Sequence, residues 1–250
     1  MSNWTEYWEK LVPDSYNRNA RLYPVLILLL PLVLAFWAVV PGRLYDWKSI
    51  LAIFVWFGGA RLLMEFGRDS GKTKEKELWQ RWGGPPTTQY LRHRGPTNKM
   101  TLQRLHNNLK KIIPDIELPT QEQEAKNPER ADNIYEECTR VMREKTRDKN
   151  QFPLIFKENC GYGFRRNLWG LRLLGLSLTF ICVVAIALTI FLRWRINHSL
   201  ESYNPVICEI VNIVTLFVWI ALNEDRIRIP AFAYAERLFE ATEKLAQENT

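Results

Sequence analysis

Residues 173–192 read LLGLSLTFICVVAIALTIFL, twenty residues without a charge, bracketed by Arg172 and Arg193. About 20 apolar residues, rising ~1.5 Å each, cross the hydrocarbon core of a bilayer. The stretch therefore reads as a membrane span. Trp169 and Trp194 flank it at the positions where amphipathic rings favour the lipid–water interface. Downstream, Asn204-Pro205 supplies an N-cap and a first-turn proline, and a second apolar run extends over 206–223, broken only by Glu209.

A matching pair lies near the start of the chain. Residues 22–40 carry no charge, hold Pro31 in their middle and end at Pro41-Gly42. The proline removes one backbone hydrogen bond and is expected to kink that helix. After a short link, 49–60 is uncharged, Arg61 interrupts, and Leu62, Leu63 and Met64 follow before Glu65. Alone this run is marginal. Beside the first span it reads as the return helix of a hairpin, with Arg61 reaching for the near interface and Gly58-Gly59-Ala60 allowing close approach. The mean hydropathy of −0.22 hides these blocks because the residues between them are strongly polar.

The expected fold is an all-α integral membrane protein. Two transmembrane hairpins, four spans in all, flank a mainly helical basic cytosolic domain. The expected divisions are an interfacial segment over 1–21 (Trp4, Trp8 and Leu11 on one face), hairpins over 22–66 and 169–223, the basic domain over 67–168, and a C-terminal amphipathic helix over 224–250. Four spans place both termini and the basic domain on one side. Basic flanks such as Arg18, Arg21, Arg68 and Lys72 favour the cytoplasm, in a bacterial inner membrane. The short links also carry Arg43, Lys48, Arg193 and Arg195, so parity decides more than charge does.

Within the basic domain, Leu102, Leu105, Leu109, Ile112 and Ile113 repeat at helical spacing. A further helix is expected from Asn127-Pro128 to about Lys149, with Ile134, Cys138, Val141 and Met142 on its apolar face. Residues 227–230 read as extended. Phe232, Ala235, Leu238, Phe239, Thr242 and Leu245 then mark the final helix. The segment 67–168 holds 21 Lys+Arg against 14 Asp+Glu, equal in excess to the whole chain's +7. That density suits an anionic partner, whether nucleic acid, nucleotide or lipid headgroup, and is equally the positive-inside bias of a cytoplasmic face.

Little points to catalysis. GRDSGKT over 67–73 is a near miss to the phosphate-binding loop: it has three residues between its glycines where the motif has four, and an apolar helix precedes it. No Ser/His/Asp order and no HExxH appears. Cys138, Cys160, Cys182 and Cys208 form no CxxC pair, and with His93, His106 and His198 they give no zinc spacing and no disulfide framework. The cysteines fit a reducing compartment. No cleavable signal peptide is read, because the first twenty residues are polar. The expectation is a non-enzyme without cofactor or metal.

Two constellations remain. LWQRWGGPPTTQYLRHR, residues 78–94, sets tryptophans beside arginines around a Gly-Gly-Pro-Pro turn. Trp79, Trp82, Arg92 and Arg94, with Arg104, Lys110 and Lys111 downstream, form a candidate site where bases stack and phosphates are neutralised. The alternative is structural, with the tryptophans packing the domain and the glycines joining two helices. In the last apolar run, Glu209, Asn212, Thr215, Trp219 and Asn223 recur at steps of three and four and share one helix face. Polar residues in a span face protein or water, so this stripe is a candidate pore lining with Glu209 as a cation-selecting ring. Pairing of Glu209 with Arg193 or Arg195 is the other reading.

The layout together with WGGPPTTQYLRHR, residues 82–94, resembles bacterial four-span transmembrane effectors encoded beside nucleotidyltransferases in anti-phage defence, the Hailong-type effector among them. The resemblance covers the arrangement of the whole chain. It implies a homo-oligomeric channel in the inner membrane, a tetramer being favoured. It also implies a nucleotide or oligonucleotide ligand acting on the cytosolic domain, a nucleotidyltransferase partner, and depolarisation on opening. A non-conducting membrane anchor or receptor that docks a cytoplasmic partner fits the same outline.

Overall fold

The computed structural model describes residues 14–39, 48–197 and 204–248, with side chains from residue 58 onward in the second of these helices. The expected interfacial helix with Trp4, Trp8 and Leu11, the link at 41–47 and the link at 198–203 lie outside the described residues. So do the side chains of 48–57. Every regular element among the described residues is a helix. The chain divides into two compact units, residues 1–74 with 163–224 and residues 75–162 with 225–250.

The first unit contains α1 (Asn17–Val39), the first part of α2 (Lys48–Trp82), most of a 45-residue helix and one shorter helix. The long helix is Pro153–Asn197 and the shorter one Asn204–Ala221. Helix α1 opens with a wide π turn over Asn17–Leu22, where the Asp14 carboxylate accepts hydrogen bonds from the Asn17 backbone and side chain, both at 2.8 Å. Pro31 sits inside it without ending it.

Three helices among the described residues, Asn17–Val39, Pro153–Ile196 and Asn204–Ala221, are long and apolar enough to cross a membrane. Only 33%, 22% and 28% of their apolar windows are buried within the protein. The exposed remainder includes the large apolar side chains Trp37, Phe180, Ile181, Leu188, Phe191, Ile210 and Phe217. Soluble monomers rarely expose apolar patches beyond several hundred Å²; lipid tails solvate such a surface without penalty. The long helix shows the division well. Leu168, Leu171, Gly175, Thr179, Cys182 and Ile186 form a narrow buried stripe at steps of three and four, and the remaining faces point outward.

Glycines set how closely this unit packs. A Cβ on Gly170 would lie 2.5 Å from the Gly71 nitrogen and 2.9 Å from the Gly67 oxygen, so two helix backbones touch there. The Ser70 hydroxyl donates to the Gly170 carbonyl at 2.9 Å across the same contact. Gly67 and Gly71 are four residues apart on one face of α2. They belong to the GRDSGKT stretch, which is helical throughout. A phosphate loop needs amides free of a helix ladder, so that near miss is excluded, and its glycines serve close helix packing instead. Gly163 admits Tyr16 and Ala20 of the N-terminal segment, and Gly175 admits the Trp219 indole. Asn167, buried beside these contacts, donates to the Ala20 carbonyl at 2.8 Å.

The second unit is built from α3 (Pro86–Leu91), α4 (Lys99–Ile112), α5 (Gln121–Lys126) and α6 (Pro128–Lys145). To these it adds the end of α2 and the start of α7 (Pro153–Asn197). After α8 (Asn204–Ala221), helix α9 (Asp225–Glu248) completes it. Its core joins Leu105, Leu109 and Ile112 of α4 to Tyr135, Cys138 and Met142 of α6 and Leu238, Phe239 and Leu245 of α9. The α4 and α9 residues lie on the stripes expected from periodicity, whereas on α6 the buried face is centred on Tyr135, which the expected stripe left out. Ile113, Ile134 and Val141 are half-buried at its margin. Asn98 and Asn127 cap α4 and α6 by accepting from Met100 and Arg130 amides at 2.9 and 3.0 Å.

Residues 227–230, expected to be extended, are helical. Pro230 falls early in α9, where it forfeits one ladder bond, and Ile227, Pro230 and Ala231 are all buried. Burial of that face outweighs the lost bond.

Candidate functional site

In the first unit the polar stripe of α8 turns inward. Asn212, Thr215 and Trp219 are buried against the unit's other helices, Glu209 is half-buried, and Asn223 lies past the end of α8 and is exposed. The Asn212 amide donates to the Pro31 carbonyl of α1 at 3.5 Å, and the Thr215 hydroxyl donates to its own helix at Val211 at 2.9 Å. Thr179 of α7 is fully buried within the same unit. Four atoms of these residues, Thr179 Oγ1, Asn212 Oδ1, Trp219 Nε1 and Glu209 Oε2, have no hydrogen-bond partner among the described residues. An apolar cluster of Ala38, Ile186 and Cys208 and a second of Val25, Leu28, Leu171, Trp219 and Leu222 are separate from one another. Asn212 and Thr179 are buried polar side chains of the same unit. Sequence reading named the α8 residues but missed Thr179, whose companions on α7 are apolar.

In the second unit the seven candidate ligand residues do not form one site. Trp79 and Trp82 are half-buried at the end of α2, just before Gly83 and Gly84, whose φ angles of 86° and 124° belong to glycine. Arg92 is buried. Its guanidinium donates to both Asp132 oxygens at 2.7 and 2.6 Å and to the Gly83 carbonyl at 2.6 Å. All three donors point into the fold, so Arg92 fixes the glycine turn against α6. Arg94 lies near Glu124, with Nε 3.7 Å from Oε1. Arg104 faces Glu243 of α9 at 3.5 Å.

Lys110 and Lys111 diverge. Lys111 shares a groove with Arg104, Asn108 and Glu243, whereas Lys110 lines a different one. That second groove, about 380 Å³, runs between α4 and residues 118–121. Lys99, Gln103, His106, Asn107 and Lys110 form its helical wall, and Leu118, Pro119, Thr120 and Gln121 face them. No carboxylate lines it. Glu124 of α5 is 2% exposed. It accepts from the Tyr135 hydroxyl at 2.9 Å and from the His93 and Arg94 amides at 2.8 and 3.4 Å. Sequence periodicity marked the apolar stripe of α4 but gave no sign that 118–121 would fold beside it.

Two imidazoles meet at this groove, His93 and His106, edge to face with centroids 5.2 Å apart. His93 Nε2 lies 2.9 Å from the Pro119 carbonyl and His106 Nε2 lies 2.9 Å from the Leu91 carbonyl. A carbonyl only accepts, so both Nε2 atoms carry the proton. Burial holds the His106 imidazole below its ordinary pKa, against the opposing pull of the Leu91 carbonyl. The unfolded chain therefore binds a proton near pH ~6.5 that the folded chain resists. No penalty exists above that pH, and stability falls as the pH drops through it. Thermal unfolding at pH 7.5 and 5.5 is expected to show a larger acid loss for the wild type than for His106→Gln; equal losses would place the acid sensitivity elsewhere.

Among the described residues, acidic, cysteine and histidine side chains form no cluster able to hold a metal. The four cysteines are free and buried, and burial pushes the Cys138 thiol up to about 12, far from a nucleophile's range. Comparison with protein families, curated proteins and solved structures finds no match to this chain.

Proposed function

We propose that the chain is a four-span membrane effector of a bacterial inner membrane: an ion channel, closed in the described state, controlled by an anionic ligand at its basic cytosolic unit. The observation that carries this reading is the group of four unpartnered polar atoms inside a bundle of membrane-crossing helices. A buried polar group without a partner costs about 1–3 kcal/mol, and lipid supplies no substitute. Buried polar groups of this kind in a span mark places that water, an ion or a functional role serves. With α8 turned inward the path is shut. Opening, in this proposal, turns the stripe of Glu209, Asn212 and Thr215 towards an axis shared by several copies, four being favoured. The fourth span in this reading is the apolar start of α2. The resemblance to effectors encoded beside nucleotidyltransferases adds a role in anti-phage defence and a partner enzyme that makes the ligand.

Flux from liposomes, with and without ATP, tests the reading. Wild type should pass cations. Asn212→Leu, close in volume but unable to hydrate, should cut flux at least tenfold while the protein stays folded, and Glu209→Gln should reduce preference for cations over anions. An absence of flux in every condition would defeat the channel reading and leave a non-conducting membrane receptor.

A further inference from the structure

We infer that the groove between α4 and residues 118–121 binds a nucleotide bearing at least two phosphates. The inference deepens the sensing half of the proposed function and rests on that half alone.

The walls of the groove supply the chemistry. Lys99, Gln103, His106 and Lys110 follow one another at steps of four, three and four, so one face of α4 presents two cations with amide and imidazole groups between them. The lysines lie eleven positions apart, about 16 Å along a helix. A single phosphate is too small to engage both, whereas an extended ligand with charge along its length is not. Gln103, Asn107, Thr120 and Gln121 add neutral hydrogen-bonding groups between the lysines.

Leu102, Leu118 and Pro119 form an apolar floor, and the His106 ring lies beside it. An apolar floor with an aromatic edge suits a flat ring, and cations at the rim suit its phosphates. With both Nε2 atoms committed to carbonyls, Nδ1 is the ring nitrogen each imidazole leaves for a ligand. The volume of about 380 Å³ falls within the usual range for small-molecule sites, roughly 300–1,000 Å³.

Charge distinguishes this groove from its neighbour. The groove holding Arg104 and Lys111 also holds Glu243, which faces Arg104. Here no carboxylate lines the wall, and the buried Glu124 of α5 is engaged by Tyr135, His93 and Arg94.

Isothermal titration of the full chain in lipid nanodiscs tests the site, with ATP, pyrophosphate and adenosine as probes. ATP should bind, and pyrophosphate and adenosine should each bind at least tenfold more weakly. Lys99→Glu and Lys110→Glu should each weaken ATP at least tenfold, and rising salt should weaken it further. Arg104→Glu and Lys111→Glu, on the other groove, should stay within twofold of wild type. All four lysine and arginine positions are exposed, so the substitutions spare the core.

The inference is overturned if ATP does not bind, if pyrophosphate binds as tightly as ATP, or if the Arg104 and Lys111 variants lose as much as the other two. Because binding is read without flux, a silent liposome assay leaves this site standing, and flux without ATP binding removes the site alone.

Discussion

Gly170→Leu is expected to prevent the first unit from packing, with loss of the monodisperse species in detergent. The cause is the backbone contact at that point. Even the Cβ would sit 2.5 Å from the Gly71 nitrogen, and neither backbone can rotate away as a side chain can. The helices would have to separate by about 1 Å to restore an ordinary ~3.5 Å contact. Separation also breaks the Ser70–Gly170 hydrogen bond and loosens the Leu171 side chain against Gly67. Overpacking of this kind costs about 1–3 kcal/mol where side chains can adjust, and more against a backbone. Gly58→Ala and Gly59→Ala are the controls, since a Cβ at either position meets nothing within 4 Å. Size-exclusion profiles and thermal melts should be near wild type for both and collapsed for Gly170→Leu. Similar behaviour of all three would mean that α2 and α7 do not touch through their glycines.

The second large effect falls on Glu124. Glu124→Ala removes the acceptor of the buried Tyr135 hydroxyl and of the His93 amide, and the partner of Arg94. Each buried donor left without an acceptor costs about 1–3 kcal/mol, so the second unit should lose about 3–5 kcal/mol in all. The Tyr135 ring is itself fully buried in the core, and its phenol pKa is raised by that burial, with the Glu124 carboxylate adding to the shift. The hydroxyl therefore stays protonated and in need of an acceptor. Glu124→Gln keeps one carbonyl oxygen for Tyr135 but turns an amide towards main-chain donors, and should fall between. Hydrogen exchange at residues 93–94, read by mass spectrometry, should accelerate strongly in Glu124→Ala. Protection equal to wild type would contradict the role given to this carboxylate.

Much of the architecture was legible because membrane spans announce themselves by composition. The run at 173–192, the run at 22–40 and the apolar face of α4 each needed only local periodicity. The reach of the long helices was not read from the sequence. α2 runs on to the Gly83-Gly84 turn and α7 begins at Pro153, but the change from apolar to polar residues after 66 and before 169 looked like a boundary, although the backbone continues through it.

Partnerships distant in sequence were the other gap. Gly67 and Gly71 have meaning only beside Gly170, a hundred residues on, so their spacing invited comparison with a phosphate loop instead. Arg92 looked like a ligand residue because a basic side chain near tryptophans gives no sign of Asp132 forty residues away. Lys110 and Lys111 read as one patch, yet consecutive helical residues point about 100° apart, and the structure assigns them to different grooves. The α8 stripe was found from its period, but which way it faces depends on Pro31 and Gly175, and no local pattern holds that.

Everything rests on the apolar surface of α1, α7 and α8 being solvated by lipid. Alkaline carbonate extraction of membranes from expressing cells tests this directly. The full chain should remain in the pellet and leave it only with detergent. Its release into the supernatant by carbonate alone would contradict the account.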